Sequence, residues 1–404
     1  MTVAMHASTR SADAWRSAAA GPVVTRVEAI PIAVPPVGPA DRPVAEREIR
    51  RRQRGLVYSN YREALFIKIT TEDGTVGWGE TLASVAPEVA AAVVRSLLAP
   101  QLIGRDPWPF EAIWTDLYGA MRDRGHRTGF YLDALAGVDS ALWDLRGKRA
   151  GLPVYALLGG PCGADGIVPA YCGVSGRAPE DLVRQIELRK SEGFRALKVH
   201  VDGLAAARAA AEAARSAAGE AVELCMDVHN TLRVDEALVL GRVLEDLLFR
   251  FLEAPIDPED DTGLRRLTTT LRVPIAYGEG ERTRWQFRDR LAAGLVHVVQ
   301  PDVGYAGISE VRRIAQLAEA FHVACAPHLS AGLGVCIAAA VHVSAAMPNL
   351  YRLEHSPVSF AQGNALLRHP LEMRDGAYVL PSGPGLGVTP DEDALAQYRL
   401  EARR

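Results

Sequence analysis

Apolar and polar positions divide the chain into two regimes. From Val23 to about Thr71, the segments "VVTRVEAIPIAV" and "REALFIKIT" are rich in β-branched residues and partly alternate, which predicts β-strands. A Pro- and Arg-rich loop around residues 35 to 57 separates them, and "EDGTVGWGE" turns at Asp73-Gly74 into a further strand. Residues 86 to 150 are rich in Ala and Leu. Within them, "LAGVDSALWDLRGKRAGLPVYALLGG" carries apolar residues at helical spacing until Gly-Pro punctuation ends it. The pattern predicts an α+β domain over residues 22–150.

Beyond residue 151 the rhythm changes. Short apolar runs ("IVPAYCG", "FRALKVHV", "VELCMDVH", "FRFLEAP", "VPIAYGE", "VHVVQPD", "HVACAPH", "LYRLEH") alternate with amphipathic segments such as "DLVRQIELRKSEG" and "GISEVRRIAQLAEAF". Eight strands separated by helices predict an α/β fold, a (β/α)7β TIM-like barrel over residues 151–358 with the first domain as its cap. Residues 359–404 are expected to return to the capping domain.

Each apolar run closes on a polar group: Tyr171, Lys198 or His200, Asp227, Glu253, Glu279, Asp302, His328 and Glu354, at intervals of 23 to 29 residues. In a closed parallel barrel all strand C-termini meet on one face, so these residues converge on one pocket. A single acid at a strand end is most often a solvated group or a helix N-cap. Seven consecutive strands ending in chemically useful groups are better explained by a shared site.

Asp227, Glu253 and Glu279 end three consecutive strands. Three oxygen donors on a rigid scaffold suit a hard divalent ion with open positions, Mg²⁺ or Mn²⁺, and without one they would raise one another's pKa. Asp302 and His328 end the next two strands, and a carboxylate that fixes one imidazole nitrogen makes the other a general base. The plainer reading of a lone histidine is structural. Glu354 would face the triad across the barrel and, if protonated, donate a hydrogen bond to a developing oxyanion; its plainer reading is a salt bridge. Lys198 and His200 share one side of a strand, where the ammonium could hold a substrate carboxylate or merely snorkel. In "MDVHN", Asp227 and His229 likewise point to one side of an extended strand, which carries the histidine into the pocket.

Composition narrows the chemistry. Apolar residues at 48%, charged residues at 23% and a net charge of −4 describe a globular protein without the basic excess that attracts nucleic acid. Small molecules are the expected partners. Five cysteines without a CxxC pair argue against a disulfide framework and for a reducing cytoplasm. No apolar run reaches the roughly 20 residues that span a bilayer, and residues 1–21 are expected to be a disordered tail. Lysine occurs only at 68, 148, 190 and 198.

With these residues in place, nearly the whole chain resembles the enolase superfamily, and within it the mandelate racemase subgroup. The resemblance implies that Asp227, Glu253 and Glu279 bind one Mg²⁺, that Asp302 and His328 form the family's dyad, and that Glu354 is its electrophilic glutamate. It implies abstraction of the proton α to a carboxylate, with the enolate held on the metal. It implies a homo-oligomer, dimer or octamer, and cap loops within residues 35 to 60 that read the substrate, with Tyr58, Tyr61 and the arginines of "REIRRRQR" as candidates. The plainer reading of those residues is a solvated basic loop.

Departures from the family pattern sharpen the expectation. "LKVH" gives Lys-x-His where many members carry Lys-x-Lys, which weighs against two-base racemisation with a lysine at position 200. No lysine follows Lys198, which excludes the branches that use a late lysine. Asp-x-His at Asp227 and His229 resembles the sugar-acid dehydratases, in which this histidine protonates the departing hydroxyl. The expected function is therefore Mg²⁺-dependent dehydration of a sugar acid to a 2-keto-3-deoxy acid, with His328 as base and His229 or His200 completing the pair. A racemase or epimerase using His200 and His328, and a non-catalytic binding protein on the same fold, are the alternatives.

Overall fold

A computed structural model describes residues 21–36, 46–51, 56–163, 165–176, 178–329 and 331–400. Apart from Gly21, the expected N-terminal tail lies outside the described residues.

In the cap, β1 (Val24–Val34), β4 (Arg62–Thr71) and β5 (Val76–Thr81) form an antiparallel sheet in the order β1-β4-β5, with Glu28 opposite Lys68 and Ile32 opposite Ala64. The turn before β5 follows from its side chains. Asp73 accepts from Thr71 Oγ1 and the Thr75 N–H, and Gly74 takes the positive φ (82°) that the turn requires. The segment read as a loop holds a short strand, β2 (Ile49–Arg51), which pairs with β3 (Val57–Ser59) at the end of that segment.

Helix Phe130–Ala150 lies against this sheet, and the sequence shows why it can. Gly77 and Gly79 of β5 face it so closely that a Cβ at position 79 would lie 2.0 Å from the Gly137 carbonyl oxygen. The polar residues of this helix bind it to its neighbours, Asp139 and Trp143 to the barrel and Asp144 to β5 and the C-terminal segment. Asp139 accepts from the Ser309 N–H (2.8 Å) and Oγ (2.6 Å), Trp143 Nε1 donates to Ser309 Oγ (2.9 Å), and Asp144 accepts from the Trp78 and Leu386 N–H groups. A second tie is Glu80. Its buried carboxylate accepts the N–H groups of Leu333 (2.6 Å) and Cys336 (2.9 Å) at the N-terminus of helix Gly334–Ala345, where negative charge is favoured.

The barrel strands are β6 (Ile167–Val174), β7 (Ala196–His200), β8 (Glu223–Asp227), β9 (Leu252–Glu253), β10 (Ile275–Tyr277), β11 (Val298–Val299), β12 (Ala324–Cys325) and β13 (Leu353–His355). Consecutive strands from β6 to β12 pair in parallel, and β13 returns to β6 with Glu354 opposite Tyr171. A bridge between Cys325 and Leu350 and the Glu354 N–H bond to the Pro327 carbonyl close the ring. Among the described residues seven helices fill the crossovers, giving the (β/α)7β barrel. Helix Leu204–Ala218 shows the logic: Ala207, Ala211, Ala214 and Ala218 recur at helical spacing and are all buried against the sheet.

Inside the ring, Tyr171, Ala196, Cys225, Phe251, Ala276, Val298 and Ala326 form an apolar plug with Tyr351. The carboxylates therefore stand on an apolar floor. The C-terminal segment divides. A hairpin of β14 (Met373–Arg374) and β15 (Ala377–Val379) extends the barrel sheet at β6, whereas the last residues reach the cap: Leu400 N–H binds the Pro31 carbonyl, and Lys68 pairs with Glu392 at 2.7 Å. Among the described residues no helix is long and apolar enough to cross a membrane.

Candidate active site

Nine of the sequence-predicted residues gather at the C-terminal mouth of the barrel. Lys198 and His200 lie on β7, Asp227 and Glu253 end β8 and β9, Glu279 follows β10, Asp302 and His328 form a bridge continuing the β11–β12 pairing, and Glu354 lies on β13. His229 joins them by a different route from the one the alternation implies. The strand stops at Asp227, and His229 (φ 49°) and Asn230 (φ 58°) turn through the left-handed region. That turn, rather than a strand pleat, brings the imidazole back over Asp227. Tyr58 stays on β3 of the cap, opposite Arg50. Of the arginines in "REIRRRQR", Arg47 is held by Glu63 and Glu88 and serves the cap itself, and residues 52–54 lie outside the described set.

Lys198 is fully buried. Its Nζ lies 2.9 Å from Glu253 Oε1, 2.9 Å from Glu354 Oε1 and 5.3 Å from the centre of the Tyr171 ring, so it is an internal cation, not a snorkelling one. Burial opposes its charge, but the two carboxylates outweigh burial and hold its pKa well above the usual lysine value. Any substrate carboxylate would compete with Glu253 and Glu354 for this ammonium.

The carboxylates differ because their partners differ. Burial pushes Glu253 up to about 7, against the pull of Lys198 and with the help of Asp227, Glu354 and Glu279. Its Oε2 accepts from Gln300 Nε2 at 2.6 Å. Glu354 is buried too, yet Lys198, His328 and His200 bring it down to about 2, and its Oε2 accepts the Leu329 N–H at 2.9 Å. Its Oε1 lies 3.8 Å from His200 Nε2 and its Oε2 3.7 Å from His328 Nε2. Glu279 is the outermost, 38% exposed, with Oε2 3.0 Å from His328 Nε2.

His328 Nδ1 lies 2.6 Å from Asp302 Oδ2, and Asp302 Oδ1 accepts the Gly304 N–H at the start of helix Val303–Ala320. Burial alone would lower the His328 pKa, but Glu354, Glu279 and the bond to Asp302 raise it well above the ordinary value. Across the mouth, Asp227 Oδ1 accepts the His229 N–H at 2.8 Å. Its Oδ2 lies 3.3 Å from His200 Nδ1 and 3.1 Å from His229 Nε2. Burial would raise Asp227, but His200, His229 and Lys198 hold it well below the usual carboxylate range. His229 Nδ1 meets Asp202 Oδ1 at 2.8 Å.

Asp202 and Gln300 escaped the sequence reading. The signal was available, since each lies two residues from a chosen one, Asp202 after His200 and Gln300 before Asp302. A cavity of about 320 Å³ opens beside Glu253, Glu279, Gln300 and Tyr277. A larger one, about 680 Å³, lies at the opposite end of the barrel around Phe249, Phe251 and Tyr351, and holds none of the site residues.

The donor chemistry of the mouth fits a hard divalent cation. Four carboxylates, Asp227, Glu253, Glu279 and Glu354, crowd a largely buried space where Lys198 and three imidazoles are their basic contacts among the described residues. The three expected ligands nevertheless turn to different partners. Among the described residues, the group of three or more His, Cys, Asp or Glu donors lying within 4.8 Å of one another is His200, Asp227 and His229.

Comparison with known proteins matches this architecture. Residues 57–159 match the model of the mandelate racemase/muconate lactonizing enzyme N-terminal domain, and residues 181–394 the enolase C-terminal domain-like model. The chain belongs to the mandelate racemase/muconate lactonizing enzyme family of the enolase superfamily. It is thus an enzyme, not a bare binding scaffold. It is 37% identical over 358 residues to the D-galactarolactone cycloisomerase of Agrobacterium fabrum, covering 84% of this chain and 92% of that one. It is 35% identical over 361 residues to the D-galactonate dehydratase of Ralstonia nicotianae, covering 84% and 91%. Among solved structures, an enolase superfamily member from Agrobacterium tumefaciens superposes with a TM-score of 0.86 at 34% identity over 94% of this chain and all of that one. A racemase from Streptomyces coelicolor with bound magnesium gives a TM-score of 0.81 at 27% identity over 94% and 100%.

Proposed function

We propose that the enzyme is a lyase that removes the proton α to a carboxylate of a sugar acid and expels the β-hydroxyl, giving a 2-keto-3-deoxy acid. The observation that carries this reading is a pair of Asp–His couples, Asp302–His328 and Asp202–His229. They follow β12 and β8 at the mouth, strands four places apart in a ring of eight. Elimination of water needs one group to take a proton from carbon and another to give one to oxygen, because hydroxide leaves poorly unless protonated.

His328 takes the α-proton on Nε2, with Asp302 fixing Nδ1–H and steadying the imidazolium. His229 Nε2 delivers a proton to the departing oxygen, with Nδ1 held by Asp202. Glu354, fixed by Lys198 and the Leu329 N–H, lies between His200 and His328 and places its negative charge beside both rings. Asp227, Glu253 and Glu279 are the residues to hold Mg²⁺, which would polarise the substrate carboxylate and offset the negative charge that raises the His328 pKa.

Substrates presenting a lactone oxygen at the β-position are the second reading, favoured by the likeness to a sugar-lactone cycloisomerase. There the leaving group is a carboxylate, which departs without protonation, so only His328 is indispensable. Incubation with aldonic acids, aldaric acids and their lactones plus Mg²⁺, assayed for 2-keto-3-deoxy products, tests both. Turnover of lactones alone would favour the second reading. Inversion with solvent deuterium incorporation and no keto product would replace both with racemisation through His200 and His328.

A further inference from the structure

We propose that His200, Asp227 and His229 form a second cation site, shaped for a four-coordinate, borderline-soft divalent ion of the Zn²⁺ class rather than for Mg²⁺. The three donor atoms make a nearly equilateral triangle: His229 Nε2 to Asp227 Oδ2 is 3.1 Å, His200 Nδ1 to Asp227 Oδ2 is 3.3 Å, and His200 Nδ1 to His229 Nε2 is 3.4 Å. Metal–ligand bonds of about 2.0–2.1 Å give ligand–ligand edges of about 3.3 Å in a tetrahedron but about 2.9 Å in an octahedron. The triangle has the tetrahedral edge. Two imidazole nitrogens and one carboxylate oxygen also form the donor mixture that favours Zn²⁺, Co²⁺ or Ni²⁺, whereas Mg²⁺ prefers oxygen alone.

The surroundings prepare each donor. Asp202 Oδ1, 2.8 Å from His229 Nδ1, fixes the tautomer that leaves the Nε2 lone pair facing the triangle, a carboxylate–histidine arrangement that strengthens a metal-binding imidazole. The His229 N–H occupies Asp227 Oδ1 and thereby points Oδ2 inward. On the far side of His200, Nε2 faces Glu354 Oε1 at 3.8 Å. The imidazoles are 23% and 34% exposed, so an ion can enter from solvent and keep water as its fourth ligand.

Occupation has a consequence that rests on the dehydratase reading. The ion would take the Nε2 lone pair that His229 needs for proton delivery and would share Asp227 with the Mg²⁺ carboxylates, so Zn²⁺ would inhibit by capturing the acid. Binding is measured without substrate and therefore stands or falls separately from that reading.

The test is titration of chelator-treated protein with Co²⁺, followed by visible absorption, and with Zn²⁺, followed by calorimetry. The intense absorption of four-coordinate Co²⁺ is expected, displaced by Zn²⁺ but not by a large excess of Mg²⁺. His229→Asn and His200→Asn should each abolish it, Asp202→Asn should weaken Zn²⁺ about 10–100-fold, and Glu253→Gln should leave it in place. Circular dichroism checks that each variant is folded. A weak six-coordinate Co²⁺ spectrum, or Zn²⁺ affinity unchanged in folded His229→Asn protein, would overturn the site. Zn²⁺ bound as expected with dehydration unaffected at saturation would overturn the inhibition.

Discussion

His229 Nδ1 lies 2.8 Å from Asp202 Oδ1, and the contact repeats, on the other side of the barrel mouth, the 2.6 Å pairing of His328 with Asp302. Asp202 acts only through the imidazole, as a positioning residue. Asp202→Asn should therefore lower kcat for dehydration about 10–100-fold and leave KM and α-proton exchange largely unchanged. Steady-state kinetics beside solvent deuterium exchange measure the three quantities together. Parallel loss of exchange would show that His229 contributes to carbon deprotonation and not to departure of the leaving group.

The two histidines should separate the halves of the reaction. His328→Asn should suppress product formation and α-exchange alike, by about 10²–10⁴-fold, the range of a lost general base. His229→Asn should suppress dehydration of hydroxy acids by a similar factor while α-exchange persists. With a substrate whose β-oxygen belongs to a lactone, the same variant should retain most of its activity. Exchange measured by NMR on both substrate types decides the point.

Lys198 offers a test of electrostatics independent of turnover. Its ammonium lies between two buried carboxylates, and truncating one member of a buried pair leaves charge uncompensated at a cost of about 3–5 kcal/mol. Lys198→Met should lower stability by that order in denaturant titration. It should also raise the pKa of Glu354, so that more of the loss appears at neutral than at acid pH. Loss independent of pH would mean that packing over Tyr171, rather than charge, is what Lys198 supplies.

Much of this site was legible because barrel strands impose a simple rule: short apolar runs ending on one face. The rule located Asp227, Glu253 and Glu354, even though β9 comprises only Leu252 and Glu253. It could not reveal partners. Asp202 reaches His229 because His229 and Asn230 adopt positive φ, a loop property that period-two alternation does not encode. Glu354 becomes an acceptor because Lys198, 156 positions away in the chain, spends its charge there. The short β2–β3 pair was hidden by the arginines of β2, which read as solvated loop. At the C-terminus, residues 359–404 were expected to return to the cap, and the hairpin that joins β6 was not foreseen, since β14 and β15 are too short to carry a pattern.

Acid stability follows from two buried histidines outside the proposed chemistry. His342, on helix Gly334–Ala345, accepts the Tyr155 N–H on Nδ1, and burial lowers its pKa to about 4. His355 pairs with the Tyr378 hydroxyl at 2.9 Å, and burial, with Arg189 adding, lowers it also to about 4. Both pKa values are depressed from about 6.5, so the unfolded chain binds more protons than the native one between pH 6.5 and 4. Stability is therefore retained above pH 6.5 and lost as pH falls through that window, by roughly 3 kcal/mol per histidine at its lower end. His342→Asn, whose amide oxygen can replace Nδ1 as acceptor, should flatten the fall of unfolding free energy between pH 6.5 and 4. Urea titrations of wild type and variant across the window measure the difference in slope. Equal slopes would show that His342 is protonated without cost in the native protein and that the acid response belongs to His355 and the carboxylates.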